Sequence, residues 1–311
     1  MSGGHAHDHG AGGVTSSPDH RRRLAVVLAI TTSVLIVEVI GAVVSGSLAL
    51  LADAAHMLTD AAGLTIALIA ANLALRPATS KRTWGYRRAE VLGATLQAAV
   101  LLGVGVYVFI EGIRRLFEPP EVGSTAMVVF GVIGLLGNLV SMLVLTRGRG
   151  SNVNMRAAFL EVVNDALGSV AVLLAALIIA LTGWLRADAV VSMLIAVLII
   201  PRTLKLLRET VSVLLETTPP GLDLDEVRQH LLDQPHVLDV HDLHASQITS
   251  ELPVLTAHVV IDESCFQDGH APRVLDQLQS CLADHFPVSV EHSTIQLEPR
   301  THASHEQPAH H

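Results

Sequence analysis

The chain has 311 residues, half of them hydrophobic, a mean hydropathy of +0.49 and a net charge of −9. That apolar content excludes an ordinary soluble globular protein, and the acidic balance excludes a basic nucleic-acid-binding surface. Aromatic residues make up only 3%, so the apolar mass is Ala, Leu, Val and Ile, which suits tightly packed membrane helices. Two cysteines, Cys265 and Cys281, form no CxxC pair and suggest neither a disulfide framework nor a thiolate zinc site.

Residues 1–20 are a polar tail carrying His5, His7 and His9 around Asp8. It reads either as a mobile metal-collecting arm or as a tail without function, and not as a signal peptide. Arg21, Arg22 and Arg23 follow as a topology anchor. Residues 21–210 form the membrane domain. Six apolar runs, near 24–45, 48–75, 89–112, 125–146, 157–182 and 187–207, reach the ~20 residues that a spanning helix needs. Gly and Pro mark the joints, at Gly46, Pro77, Pro119-Pro120, Gly148 and Gly183. One set of loops holds Arg21–Arg23, Arg76, Lys81, Arg82, Arg87, Arg88, Arg147, Arg149, Arg156, Arg202, Lys205 and Arg208; the opposite set holds Arg114, Arg115 and Arg186. Cationic loops stay inside, so both termini are expected in the cytoplasm.

Runs two and five carry ionisable side chains where lipid should be. Run two contains His56-x3-Asp60-Ala61-Ala62-Gly63 and run five Glu161-x3-Asp165-Ala166-Leu167-Gly168. A spacing of four puts each pair on one helix face, ~5–6 Å apart. Ionisable groups inside a membrane are costly and face a partner, a cavity or an ion. One imidazole and three carboxylates could hold a divalent cation. Each motif lies on the second helix of a three-helix half, the pattern of an inverted-repeat transporter with its site near the midplane. Asp53, one turn before His56, is read as a residue supporting the ligands or lining an exit path, or else as a helix cap or a water-exposed group. Glu38 and Asn138 are lone polar groups, expected to make packing hydrogen bonds rather than to bind metal.

After Pro219-Pro220 the composition turns polar. Residues 222–232 and 271–285 read as helices, and 237–248, 253–261 and 292–298 as strands. The order αββαβ makes residues 211–299 a small soluble α+β domain. Residues 300–311, with His302, His305, His310 and His311, are a polar tail.

Several motifs together give the chain a family resemblance. They are Ser47-Leu48-Ala49-Leu50-Leu51-Ala52-Asp53, His56-x3-Asp60, Trp84-Gly85-Tyr86-Arg87-Arg88-Ala89-Glu90, Asn152-Val153-Asn154-Met155-Arg156 leading into Glu161-x3-Asp165, and Thr294-Ile295-Gln296-Leu297-Glu298. The chain resembles the cation diffusion facilitator family over residues 20–298, most closely its bacterial zinc-exporting members. The resemblance implies six transmembrane helices in the cell inner membrane, a ferredoxin-like cytoplasmic domain for metal binding and dimerisation, and a homodimer. It implies export of Zn²⁺, with Cd²⁺ and Co²⁺ as further substrates, in exchange for protons. It places the transport site at His56, Asp60, Glu161 and Asp165. The usual residue at the Glu161 position is His, and a carboxylate there shifts preference toward oxygen-loving ions. In the cytoplasmic domain His241 and His258 match ligand positions and His270 is a third candidate. Gln296 and Glu298 stand where some members carry His and Asp. Arg82 and Tyr86 replace the ligands of a loop site found in some members, so that site is expected to be absent.

The expected mechanism is alternating access, with Zn²⁺ as substrate and as a regulatory ligand and with no organic cofactor. The partners are divalent metal ions, protons, the lipid bilayer and a second copy of the chain. The rival reading is a divalent-metal-sensing membrane protein, but no output module is evident. Nothing like the HExxH motif supports an enzyme.

Overall fold

The computed structural model describes residues 18–74, 76–146, 153–249 and 252–303, without the side chains of some helical residues, among them Asp60 and Glu161. His5, His7, His9, His305, His310 and His311 lie outside the described residues, as do the side chains of Arg21, Arg22 and Arg23. The chain folds as two compact units, Met1–Leu64 with Leu101–Pro201, and Thr65–Val100 with Arg202–His311.

Six long helices follow the apolar runs: α1 (Pro18–Ser45), α2 (Leu48–Ala74), α3 (Arg88–Phe117), α4 (Ser124–Thr146), α5 (Val153–Thr182) and α6 (Arg186–Leu214). Five are long and apolar enough to cross a membrane, and the described apolar stretch of α2 is Leu48–Thr59. Large apolar side chains such as Val43, Leu96, Leu143, Leu181 and Leu198 point outward and are more than half exposed. In hydrocarbon such faces are satisfied, and helices suit that medium because each closes its own backbone hydrogen bonds. Several inward-facing positions are small: Ala49, Ala175 and Ala176 are fully buried beside larger residues such as Leu50 and Met127, and α4 packs against α1 and α5. Small residues let backbones approach where the hydrophobic effect offers no drive.

Four helices outrun their apolar runs, α1 and α6 the most: α1 begins at Pro18, α5 at Val153, α3 continues to Phe117 and α6 to Leu214. The extension of α6 is amphipathic, with Lys205 and Glu209 paired at 3.8 Å. Hydropathy marks only the part that lipid can cover, whereas the backbone ladder continues through polar residues.

The α+β part of the second unit contains α7 (Leu224–Leu232), β1 (Val237–Thr249), β2 (Leu252–Ile261), α8 (Ser264–Gln267), α9 (Ala271–Asp284), β3 (His292–Glu298) and α10 (Arg300–Ala303). This is the αββαβ order with two extra single turns. Asp223 caps α7, its carboxylate accepting from the Asp225 and Glu226 amides. β1 and β2 pair antiparallel across a hairpin, and β2 and β3 pair parallel with α9 in the crossover. α9 buries Val274, Leu278, Cys281 and Leu282, one stripe at helical spacing, against a core that includes Leu231, Leu255 and Ile261. β1 is bulged between His241 and His244, where Asp242 has φ 47. A bulge re-aims side chains, and here it sits beside one candidate site residue, His241.

Candidate metal centres

In the first unit, α2 and α5 bring His56 and Asp165 together. His56 Nε2 lies 3.9 Å from Asp165 Oδ1, with 18% and 2% of the two side chains exposed. Asp60 and Glu161 have backbone positions one turn along the same helices, four residues from His56 and Asp165; their side chains lie outside the described atoms.

One turn toward the α1–α2 joint is a second polar layer. Asp53 is 2% exposed and is neither a cap nor a solvated group. It accepts a hydrogen bond from Ser169 Oγ at 3.2 Å, and Ser169 in turn accepts from Asn138 Nδ2 at 3.3 Å. Asn138 thus makes the expected packing bond. Glu38 makes no well-formed one: it is fully buried, and the Ser169 hydroxyl beside it donates to Asp53 instead. Two glycines make room for these carboxylates. A Cβ at Gly134 would collide with Glu38 Oε1, and one at Gly168 with Asp53 Oδ1. The glycine at the end of the run-five motif is therefore needed for close approach.

A further buried carboxylate, Asp188 in the first turn of α6, had no signal in the sequence reading. It is 1% exposed and caps α2 from another helix. Ser47 Oγ donates to it at 2.5 Å, and the Leu48 and Ala49 amides at 2.8 and 3.1 Å. Negative charge suits a helix N-terminus, where amides lack partners. Arg115 of α3 lies 3.6 Å from Asp188, pairs with Glu111 at 3.0 Å and donates to the Gly46 carbonyl at 2.7 Å. About 140 residues separate Ser47 from Asp188, so no local pattern links them.

In the second unit His241, His258 and Glu298 offer ligand atoms that all lie within 4.8 Å of one another. His241 faces His258 across β1 and β2, and Val260 faces Glu298 across β2 and β3. The His241 and His258 ring centroids are 5.3 Å apart, and His241 Nε2 is hydrogen-bonded to Glu298 Oε1. Glu298 is 1% exposed, and His302 Nε2 approaches its other oxygen at 3.8 Å. Two imidazoles and a carboxylate are a donor set that suits Zn²⁺. At the bulge, Asp242 lies 3.0 Å from His244 Nε2 and 3.9 Å from His258 Nε2. The hydrogen bond from His244 holds the Asp242 carboxyl below its usual range.

Among the described residues, His270, the third candidate, does not join this cluster. It stands before α9 with Nδ1 2.8 Å from Asp268 Oδ1, while its ring is 6.2 Å from that of His236. Glu298, two residues beyond Gln296 on β3, takes the third position instead. Arg82 stacks over Tyr86 at 4.4 Å in the α2–α3 loop. Cys265 and Cys281 are buried, and desolvation pushes both thiols above their ordinary pKa.

Apolar helices with a His–carboxylate pair at their centre, followed by an α+β domain with its own His₂Glu cluster, define a membrane protein that handles metal cations. Residues 24–215 match the cation efflux transmembrane domain and residues 219–300 the cation efflux protein cytoplasmic domain. The chain belongs to the cation efflux family, the cation diffusion facilitators, and is a metal cation efflux transporter rather than an enzyme. It is 45% identical over 298 residues to the metal cation efflux system protein CzcD of Cupriavidus metallidurans, covering 96% of this chain and 90% of that one. It is 39% identical to the zinc transporter ZitB of Escherichia coli, covering 94% and 92%. It is 33% identical to a cadmium, cobalt and zinc/H⁺–K⁺ antiporter of Bacillus velezensis, covering 96% and 93%.

Proposed function

We propose that this transporter exports Zn²⁺ from the cytoplasm in exchange for protons, by alternating access, as a homodimer with both termini in the cytoplasm. The observation that carries this reading is the meeting of His56 and Asp165 across α2 and α5. Asp60 and Glu161 complete the ligand set from one turn away. Imidazole and carboxylate together suit Zn²⁺ at tetrahedral geometry, and the three carboxylates offset the charge of the dehydrated ion. With Glu161 in place of a second imidazole, Cd²⁺, Co²⁺ and Mn²⁺ are closer competitors. Protons compete with metal for the same groups, so exposure to an acidic outer face favours metal release and exposure to the cytoplasm favours metal binding. Each ligand shifts the population between the two openings by binding one of them better. The relatives named as zinc transporter and as zinc/H⁺–K⁺ antiporter support this substrate and this coupling.

His241, His258 and Glu298 are proposed as a regulatory metal site. An ion held there would join all three strands through their side chains.

The test is Zn²⁺ flux in proteoliposomes with and without an imposed pH gradient, with Cd²⁺, Co²⁺ and Mn²⁺ as competitors. Zn²⁺ accumulation driven by the proton gradient is expected. Absence of Zn²⁺ flux, or flux indifferent to the gradient, would overturn the reading.

A further inference from the structure

The transport ligands leave Glu38 unexplained. Its carboxyl is fully buried in a membrane helix, and its one nearby donor, the Ser169 hydroxyl, already donates to Asp53, so neither oxygen has a well-formed hydrogen bond. Taking an ionised carboxylate out of water costs many kcal/mol unless a cation accompanies it. No described cation serves. The charged groups that act on Glu38 are Asp53 from α2 and Asp165 from α5, both negative. α4 presents Gly134 and Asn138, which are uncharged. On α1 itself the neighbouring turns hold Val34, Leu35, Gly41 and Ala42.

This is a built site. Glu38, Asp53, Asn138 and Ser169 come from four helices, and none is more than 2% exposed. Ser169 links Asn138 to Asp53 and lies 3.4 Å from the Cβ position of Gly134, where Glu38 also converges. The site stands one turn from the transport pair, since Asp53 precedes His56 by three residues and Ser169 follows Asp165 by four. The backbone of α4 presses on the Glu38 carboxyl so closely that a methyl group at Gly134 would not fit. A cation that needs almost no volume suits such packing.

We propose that Glu38 is a proton-binding residue of the exchange cycle, separate from the metal ligands, with Asp53 as the neighbour through which its occupancy senses the transport site. The inference rests on the antiport reading above. When metal and its 2+ charge occupy the site one turn away, an ionised Glu38 is better tolerated and its proton leaves; when the metal departs, the proton returns. Glu38 is thus a counter-ion carrier that never touches the metal.

The experiment uses the full chain in proteoliposomes, with Zn²⁺ flux measured against a pH gradient at fixed K⁺ and against a K⁺ gradient at fixed pH. Equilibrium Zn²⁺ binding is measured in parallel for wild type, Glu38→Gln and Glu38→Asp. Wild type should respond to the pH gradient. Glu38→Gln should bind Zn²⁺ with similar affinity yet lose about fivefold or more of that response, and Glu38→Asp should restore part of it. A Glu38→Gln variant that responds like wild type would overturn the proposal while leaving antiport intact. A wild type indifferent to pH would overturn the antiport reading itself. A wild-type response to K⁺ alone, abolished by Glu38→Gln, would overturn the proton assignment in favour of potassium. Should Glu38→Gln fail to fold, the wild-type protein is treated with dicyclohexylcarbodiimide, which attacks protonated carboxyls in apolar surroundings. Mass spectrometry should find Glu38 modified in the metal-free protein and protected by Zn²⁺. No modification at Glu38 would overturn the proposal.

Discussion

His56 and Asp165 meet because α2 and α5, distant in the chain, face each other there, and the helical period sets a second candidate ligand four residues away on each; in the α+β domain, His241 and His258 meet because two antiparallel strands share a register. The first pair sits among membrane helices beside the buried groups Asp53, Ser169 and Asn138. The second is open on one side, with His241 and His258 30% and 22% exposed over a buried Glu298. The difference is one of consequence. A ligand lost among membrane helices leaves charge with no water to solvate it, whereas a ligand lost at the sheet surface is replaced by water. On the function proposed above, the helical site suits cargo that must be stripped of water and then released, and the sheet site an ion that reports concentration.

The largest effect should follow removal of a carboxylate from the helical site. Asp165→Ala and Asp60→Ala should each reduce Zn²⁺ flux by about a hundredfold or more, beyond what loss of a supporting contact costs. Robust proteoliposome transport by either folded variant would break the comparison at its base.

Next comes the clamp that positions α2. Asp188→Ala removes the acceptor for Ser47, Leu48 and Ala49 and takes away one of the two carboxylates beside Arg115. It should cost about 3–5 kcal/mol, the penalty for breaking a buried pair from one side, and Asp188→Asn distinctly less. Thermal unfolding in detergent measures this, and an unchanged Tm for Asp188→Ala would mean that the cap does not hold α2.

A smaller effect is expected at the sheet. His258→Ala should lower bound Zn²⁺ by one ion per protomer, with flux at saturating Zn²⁺ within about twofold of wild type, since none of the proposed cargo ligands is changed. Loss of transport equal to that of Asp165→Ala would erase the functional distinction between the sites.

The smallest effect is at the start of α9. The His270 side chain and backbone amide hold the Asp268 carboxyl below its usual range. A lowered folded-state pKa adds stability that is present above the unfolded value of about 3.9 and is lost as pH falls. Asp268→Asn should therefore lower Tm slightly at neutral pH, and the difference should close on acidification below about pH 4. A gap that widens in acid would reverse the sign of this contact.

The sequence-level reading of the helices succeeded because lipid imposes one strong rule, a run of ~20 apolar residues. It fell short at the polar ends of α1 and α6, where helix continues without lipid to favour apolar residues. The His56 and Asp165 motifs were legible because each lies within one helix, whose period is known in advance. Asp188 was not, because its partners lie across the fold on α2 and α3. His270 was proposed and Glu298 passed over as third ligand, because register and the bulge at Asp242 decide which side chains meet on a sheet.

By itself the sequence determined the membrane class, the helix count, the αββαβ order and the family, because periodicity, hydropathy and short motifs are local quantities. Only the tertiary structure decided that Glu38 is buried without a cation or a well-formed hydrogen bond, that Asp53 meets Ser169, that Gly134 and Gly168 yield space to two carboxylates, and that Glu298 completes the sheet cluster. Each of these depends on helices or strands distant in the chain coming within a few ångströms, and no local pattern carries that information.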